Sequence, residues 1–535
     1  MMLASGVKAE NLGLARKLAR RRSAGARARH WGRVFRLSLP SPSISNQRVG
    51  GEMLTNTKCL CTPAGAWGSV VGAAMLLLGI AAWAQDQAPG GPNAPALRLA
   101  KIISIKGTAA SRLTNMYSFG TSFVDPATGL YYLADRSNAA IDVIDTTGAF
   151  VPSLLGGVSS GRPFVIRFPD TLFGQIGGPV FNFAGDTGSE FTSGPNGVVA
   201  GTGSPCIFVT DSPSRVVSIN SGVSFVEPVS EVNTGSPMGF RADKLAYDPK
   251  DGLLLVINDA DTPPFGTLIK VNQSTCALTV GAKINFTAGN GVNATNGVEQ
   301  PVWDPMTQRF YVSVPEINGP GGGPNGGIAR VNTSGAIEAF YPINFCQPSG
   351  LTLGPNDDLL VQCSMVFDLT GKACVTAAPS PPGQPATIQL AECTGTSGAQ
   401  VVICNPRRGC TPSNGSIVSV PGAGGGDEVW FNWGDGNYYI TGENNPVGPI
   451  ISVVASGSNI LTQLLPSLPP VPAVLGVHSM GVVHSVAASA ANNHVYVALP
   501  ANTAYSDQFR NNCVQGCVAV FSASPVSFSV TQPLP

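Results

Sequence analysis

Charge is scarce in this chain: only 12% of its 535 residues are Asp, Glu, Lys or Arg. Histidine occurs four times, and beyond the N-terminal region only as His478, His484 and His494, so a His-rich zinc site is not expected. The cysteines form neither C-x-x-C nor C-x-x-C-H, which argues against a zinc ribbon and against c-type haem attachment. No tryptophan-rich repeat supports a quinone cofactor, and neither haem nor nucleotide is expected. Long amphipathic helical periods are missing as well. The longest apolar run, Val70 to Trp83, has about fourteen residues, short of the roughly twenty that a membrane helix needs.

The formal net charge of zero averages two unlike pieces. Residues 1–84 hold twelve of the 31 basic groups but only Glu10 and Glu52 of the 31 acidic ones, a net of +10. Residues 85–535 keep 19 basic and 29 acidic groups, a net of −10, which speaks against a nucleic-acid partner. From Met53 the chain has the three parts of a secretory signal: Lys58, the apolar run, and small residues at Ala82 and Ala84 before Gln85. Residues 53–84 are therefore expected to be a signal peptide, with a retained N-terminal anchor as the other possibility. The Arg-rich residues 1–52 precede it awkwardly. Translation starting at Met53 is the simplest account, with a transit peptide or a nucleic-acid tail as alternatives. Residues 85–96 form a Pro/Gly linker. The expected location is periplasmic or extracellular, with no stable membrane span after cleavage.

Cysteine usage fits that location. Ten cysteines follow the signal, and local pairs Cys404–Cys410, Cys513–Cys517 and Cys346–Cys363 are expected.

Glycine (64) and proline (44) are abundant, as many short strands with tight turns require. A strand–turn–strand phrase recurs seven times, beginning at Gly120, Asn196, Asp243, Glu299, Ser349, Asp427 and His484. The clearest copies are DKLAYDPKDGLLLVIND (Asp243–Asp259) and EQPVWDPMTQRFYVSVPE (Glu299–Glu316). A strand-built unit of about fifty residues signals a radial repeat. The fold class is accordingly all-β, a seven-bladed β-propeller of four-stranded antiparallel blades over residues 97–531. Insertions are expected near 155–190 and 374–412, and the first blade should draw its fourth strand from the stretch after Gly148. The strand LRLAKIISI near Leu97 is expected to close the ring on the last blade.

The motif YYLADRSNAAIDVID (Tyr131–Asp145) resembles the core of bacterial YVTN-type and lactonase-like (gluconolactonase-related) propellers, with Leu133-Ala134-Asp135 where that group has Val-Thr-Asn. The resemblance is strongest in blades one, three and four. It implies a secreted propeller, and in related proteins an acidic metal site at the channel mouth serving lactone hydrolysis or a lyase reaction.

The first residue of each phrase should stand at one level around the channel mouth, joined by B–C loop residues Asp135, Asp211, Asn258, Asp259, Glu316, Asn444 and Asn502. Carboxylates crowded there repel unless neutralised. A hard cation is one answer: Ca²⁺ or Mg²⁺ held by Asn196, Asp243, Glu299 and Asp427. A raised pKa on one carboxylate is another, making Glu299 or His484 the proton-moving residue. Against both stands a ring of polar residues that merely caps the channel and binds water. Val477-His478-Ser479-Met480-Gly481 departs from a nucleophile elbow at its first position. Asp259-Ala260-Asp261 lacks the Gly and distal Glu of an EF-hand. Two functions follow: a metal-assisted, lactonase-like hydrolase or lyase, or a non-enzymatic propeller that binds a small molecule or protein at the channel mouth.

Overall fold

The computed structural model describes residues 96–523 except 106–117, 148–169, 179, 222–227, 369, 378–387, 391–399, 446–448, 467–482, 502–512 and 514. The Arg-rich extension, the signal segment, residues 85–95 of the linker, His478, Asn502 and Cys393 lie outside the described residues.

Seven four-stranded antiparallel sheets follow one another along the chain. Blade three is representative, with strands A to D at Leu245–Asp248, Leu253–Asn258, Phe265–Val271 and Leu278–Asn285. The A–B turn explains its Asp-Pro-x-x-Gly wording. Asp248 Oδ1 accepts the amide of Lys250 at 2.8 Å, and Gly252 takes the left-handed conformation at φ +62°. Blade one repeats this with Asp125, whose carboxylate takes Ala127 N at 2.9 Å and Thr128 Oγ1 at 2.7 Å. In blade four Asp304 does the same, and Gln308 stands at φ +55° where blades one and three have glycine.

Strict alternation along the strands sends side chains to opposite faces, and each face packs on a different neighbour. In blade one Leu130, Tyr132 and Ala134 join Val198, Ile207 and Val209 of blade two, while Tyr131 and Leu133 join Tyr496 and Val518 of blade seven. The seven apolar clusters correspond one to one with the seven seams between blades. Each buried Val, Leu or Ile contributes about 1.5–3 kcal/mol, so the ring is held by its seams.

The expected ring closure is present. Arg98–Ser104 pairs antiparallel with Cys517–Ser522, with Ile102 opposite Ala519, and becomes the outermost strand of blade seven. Gln463 of blade six fastens it by donating to the Leu97 carbonyl and accepting from the Leu97 amide, both at 3.0 Å.

In blade one the fourth strand is Thr171–Gly177, well beyond Gly148 and within the stretch expected as an insertion. In blade five a two-stranded hairpin, Val375–Ala377 with Ile388–Leu390, separates strand B from strand C, which resumes at Gln400–Cys404. Disulfides join Cys346–Cys363, Cys404–Cys410 and Cys513–Cys517 as expected. A fourth, Cys206–Cys276, spans 70 residues and ties strand B of blade two to the C–D turn of blade three. No helix among the described residues is long and apolar enough to cross a membrane.

Candidate functional site

Four of the repeat's opening residues share one backbone contact. The amides of Gly120, Asn196, Asp243 and Glu299 donate to the carbonyls of Ala134, Thr210, Ile257 and Ser313, always fourteen residues ahead. Gly120 is small for a local reason: a Cβ there would collide with the Asn196 carbonyl, which takes the Thr121 amide at 2.7 Å. Ser349 donates to carbonyls of Gln362 and Gly426 and so fastens blade five to blade six.

In blades three and six the residue after the opening position carries the decisive chemistry. In blade three it is Lys244, in blade six Glu428, and both are buried. Lys244 Nζ lies 3.0 Å from Glu299 Oε2 of blade four, 2.8 Å from Asp427 Oδ2 and 3.3 Å from Glu428 Oε1 of blade six. The contact with Asp427 is a hydrogen bond, whereas the Glu428 oxygen lies at ion-pair distance without hydrogen-bond alignment. Burial works against the ammonium charge, but Asp427, Glu299 and Glu428 outweigh it and hold the pKa well above the ordinary lysine value. The mutual repulsion of crowded carboxylates is thus answered by a cation of the chain itself.

That ammonium does not serve the three acids equally. Burial opposes ionisation of Asp427, yet Lys244 and then His484 hold its pKa below the usual carboxylate value. Burial pushes Glu428 up to about 8 and Glu299 up to about 7 against the pull of Lys244. Glu443, in the B–C loop of blade six, is pushed up to about 7 by burial and by Asp427. His484 Nε2 stands 3.8 Å from Asp427 Oδ2, but burial carries its pKa down to about 4, so the imidazole is neutral at pH 7. Glu299 and Asp427 keep side-chain exposures of 24% and 23%, and Glu443 is likewise partly exposed, whereas Glu428 is buried.

Asn196 and Asp243 belong to a second group. Asn196 Oδ1 accepts from Arg136, and Asp243 Oδ1 lies 3.3 Å from Arg241 Nε. Burial works against the charge of Asp243, but Arg241 and Lys244 hold its pKa below the ordinary value. Neighbouring Asp259 is driven well above the ordinary value by burial and by Asp243. Burial, reinforced by Arg241, lowers Arg136 to about 9.

Of the B–C loop residues, several close their own loops. Glu316 accepts the amides of Gly321 and Gly323, Asp211 pairs with Arg215 at 2.6 Å, and Asp135 takes the Asn138 amide at 3.1 Å. Asn258 accepts from Thr234 at 2.7 Å, and Asn444 is exposed.

Three groups have ligand atoms within 4.8 Å of one another and could hold a metal ion: Asp427, Glu428 and His484. Of the four residues expected as metal ligands, this set contains Asp427 alone. The donor types suit a metal, since the imidazole is neutral and Asp427 is ionised. The Lys244 ammonium, however, already contacts oxygens of both acids in the set.

Lys244, Glu428, Glu443, Arg136 and Arg241 were not anticipated as site residues. One signal was available for the first two: the second position of the phrase is Lys in DKLAYD and Glu in DEVWFN, opposite charges in one register.

No family model matches the chain, and no curated protein does. Among solved structures, it is similar to the crystal structure of the WD40 β-propeller domain of Doa1, at 9% identity and a TM-score of 0.43. That similarity covers 80% of this chain and 97% of the other, and no functional statement rests on it.

Proposed function

We propose that this chain is an exported β-propeller that binds a small polar ligand at the channel mouth, where Glu299 and Asp427 present hydrogen-bond acceptors. The observation behind this reading is the Lys244 ammonium among Glu299, Asp427 and Glu428. It neutralises the acidic ring from within, and it already contacts oxygens of Asp427 and Glu428, two of the three groups a divalent cation would use. A ligand carrying hydroxyl or amine donors fits the partly exposed Glu299 and Asp427. The disulfides and the signal-like segment support export, and sequencing the exported protein should find Gln85 first.

A second reading is a lactonase-like hydrolase or lyase, with or without a metal, in keeping with the resemblance in Tyr131–Asp145. Two observations favour it. Glu299, partly open to solvent with its pKa near 7, is suited to moving a proton. Asp427, Glu428 and His484 could also hold a cation, which would polarise a carbonyl, provided Lys244 withdraws.

Elemental analysis of the exported protein, combined with turnover assays on simple lactones, separates the readings. The binding reading expects no stoichiometric divalent metal and no turnover. One bound equivalent that Asp427→Asn abolishes, or lactone opening that Glu299→Gln abolishes, replaces it with the enzymatic one.

A further inference from the structure

Beside the channel mouth, on the wall formed by blades one and two, lies a cavity of about 310 Å³. Ser118, Arg136 and Ser193 line it together with Asp186, Glu190 and Phe191. Arg136 is only 1% exposed, yet its charge is poorly met. Its Nη1 donates to Ser118 Oγ at 3.3 Å and its Nη2 to Asn196 Oδ1, while Nε has no partner. Among the described residues no carboxylate comes within 4.0 Å of the guanidinium; Arg241 adds repulsion, and Asp243 attracts it only from beyond that distance. A buried cation without a counter-ion is costly, and a carboxylate entering the cavity would relieve that cost.

The entrance has the opposite sign. Glu190 is exposed and Asp186 half-buried, and both attract Arg136 only from beyond ion-pair distance. Phe191 is 42% exposed and packs on Phe240 with ring centroids 5.3 Å apart, giving the entrance an apolar wall. An anion-seeking interior, an acidic entrance and an aromatic wall complement a molecule with a negative end, a positive end and apolar matter between. The cation and the acids lie beyond ion-pair distance of one another, so a ligand that meets both must carry its two charges on separate groups.

We propose that this cavity binds a short zwitterion of dipeptide size, its carboxylate on Arg136 and its ammonium toward Asp186 and Glu190. This goes beyond the reading of the Lys244 cluster and does not depend on it. The volume lies at the small end of ligand pockets, as a dipeptide requires.

The test is calorimetric titration of the full chain with glycyl-phenylalanine, its C-terminal amide and its N-acetyl derivative. The free dipeptide should bind saturably, the amide about tenfold more weakly and the N-acetyl form several-fold more weakly. Arg136→Gln should abolish the preference for acid over amide. If that variant fails to fold, Glu190→Gln, altered only at an exposed position, should weaken the dipeptide and leave the N-acetyl form unchanged. Equal binding of acid and amide, no effect of acetylation, or no saturable binding up to about 10 mM would each overturn the proposal.

Discussion

The two sides of the channel mouth solve the same electrostatic problem differently. On the side of blades one to three, Arg241 faces Asp243 and Arg136 hydrogen-bonds only to neutral oxygens, so two buried guanidiniums share one buried carboxylate held below its ordinary pKa, Asp243. Toward blades four, six and seven, one ammonium answers Glu299, Asp427 and Glu428, and the surplus is relieved by raised carboxyl pKa values. Equivalent repeat positions therefore do not share a chemistry. What each does depends on the charge that reaches it from another blade.

Removing the shared cation should have the largest effect. Lys244→Met leaves three acids facing one another and is expected to cost about 3–5 kcal/mol in denaturant unfolding at pH 7. A value near zero would mean that Glu299 and Glu428 protonate without penalty and that Lys244 is not the organising charge. Arg241→Met should cost less, about 2 kcal/mol, because Asp259, its pKa raised well above the ordinary value by burial and by Asp243, remains beside Asp243. Equal losses in the two variants would erase the distinction between the sides.

The pH dependence sharpens the contrast further. In the folded chain Glu299 and Glu443 titrate at about 7 and Glu428 at about 8, against an ordinary 4.5, so the native state holds the extra protons. Their contribution to stability is therefore lost as pH rises from about 4.5 to about 8. His484 acts in reverse: its folded pKa of about 4 lies below the ordinary 6.5, so its contribution grows as pH rises between those values. Above pH 6.5 His484 no longer contributes, and the carboxyls with raised pKa, the three glutamates with Asp259 and Asp142, make the melting temperature fall toward pH 8. Glu428→Gln should flatten that upper limb. A further, smaller effect is expected of His484→Gln, which should flatten the acid limb by a few degrees. A melting profile independent of pH from 6.5 to 8 would contradict the raised carboxyl pKa values.

Much of the fold was legible in the residues. Asp125, Asp248 and Asp304 announce their turns because each side chain bonds to amides two or three residues on. The continuous apolar run in LYYLAD announces a strand that packs on both faces. Cys206–Cys276 was not legible, since spacing along the chain does not reveal which blades lie side by side. The fourth strand of blade one was misplaced because nothing local marks where an inserted stretch ends. At the site, the ring of opening residues was legible from the repeat. Arg136 and Arg241, which lie in loops outside the strand phrase, were not.

The sequence by itself determined seven blades, their turns and the faces each strand buries, because those depend on neighbours within about twenty residues. Tertiary structure alone decided which charges meet. Lys244 and Asp427 are separated by 183 residues yet share a hydrogen bond of 2.8 Å. Only closure of the ring places blades three and six across one channel, and charge pairing depends on that distance rather than on any local pattern.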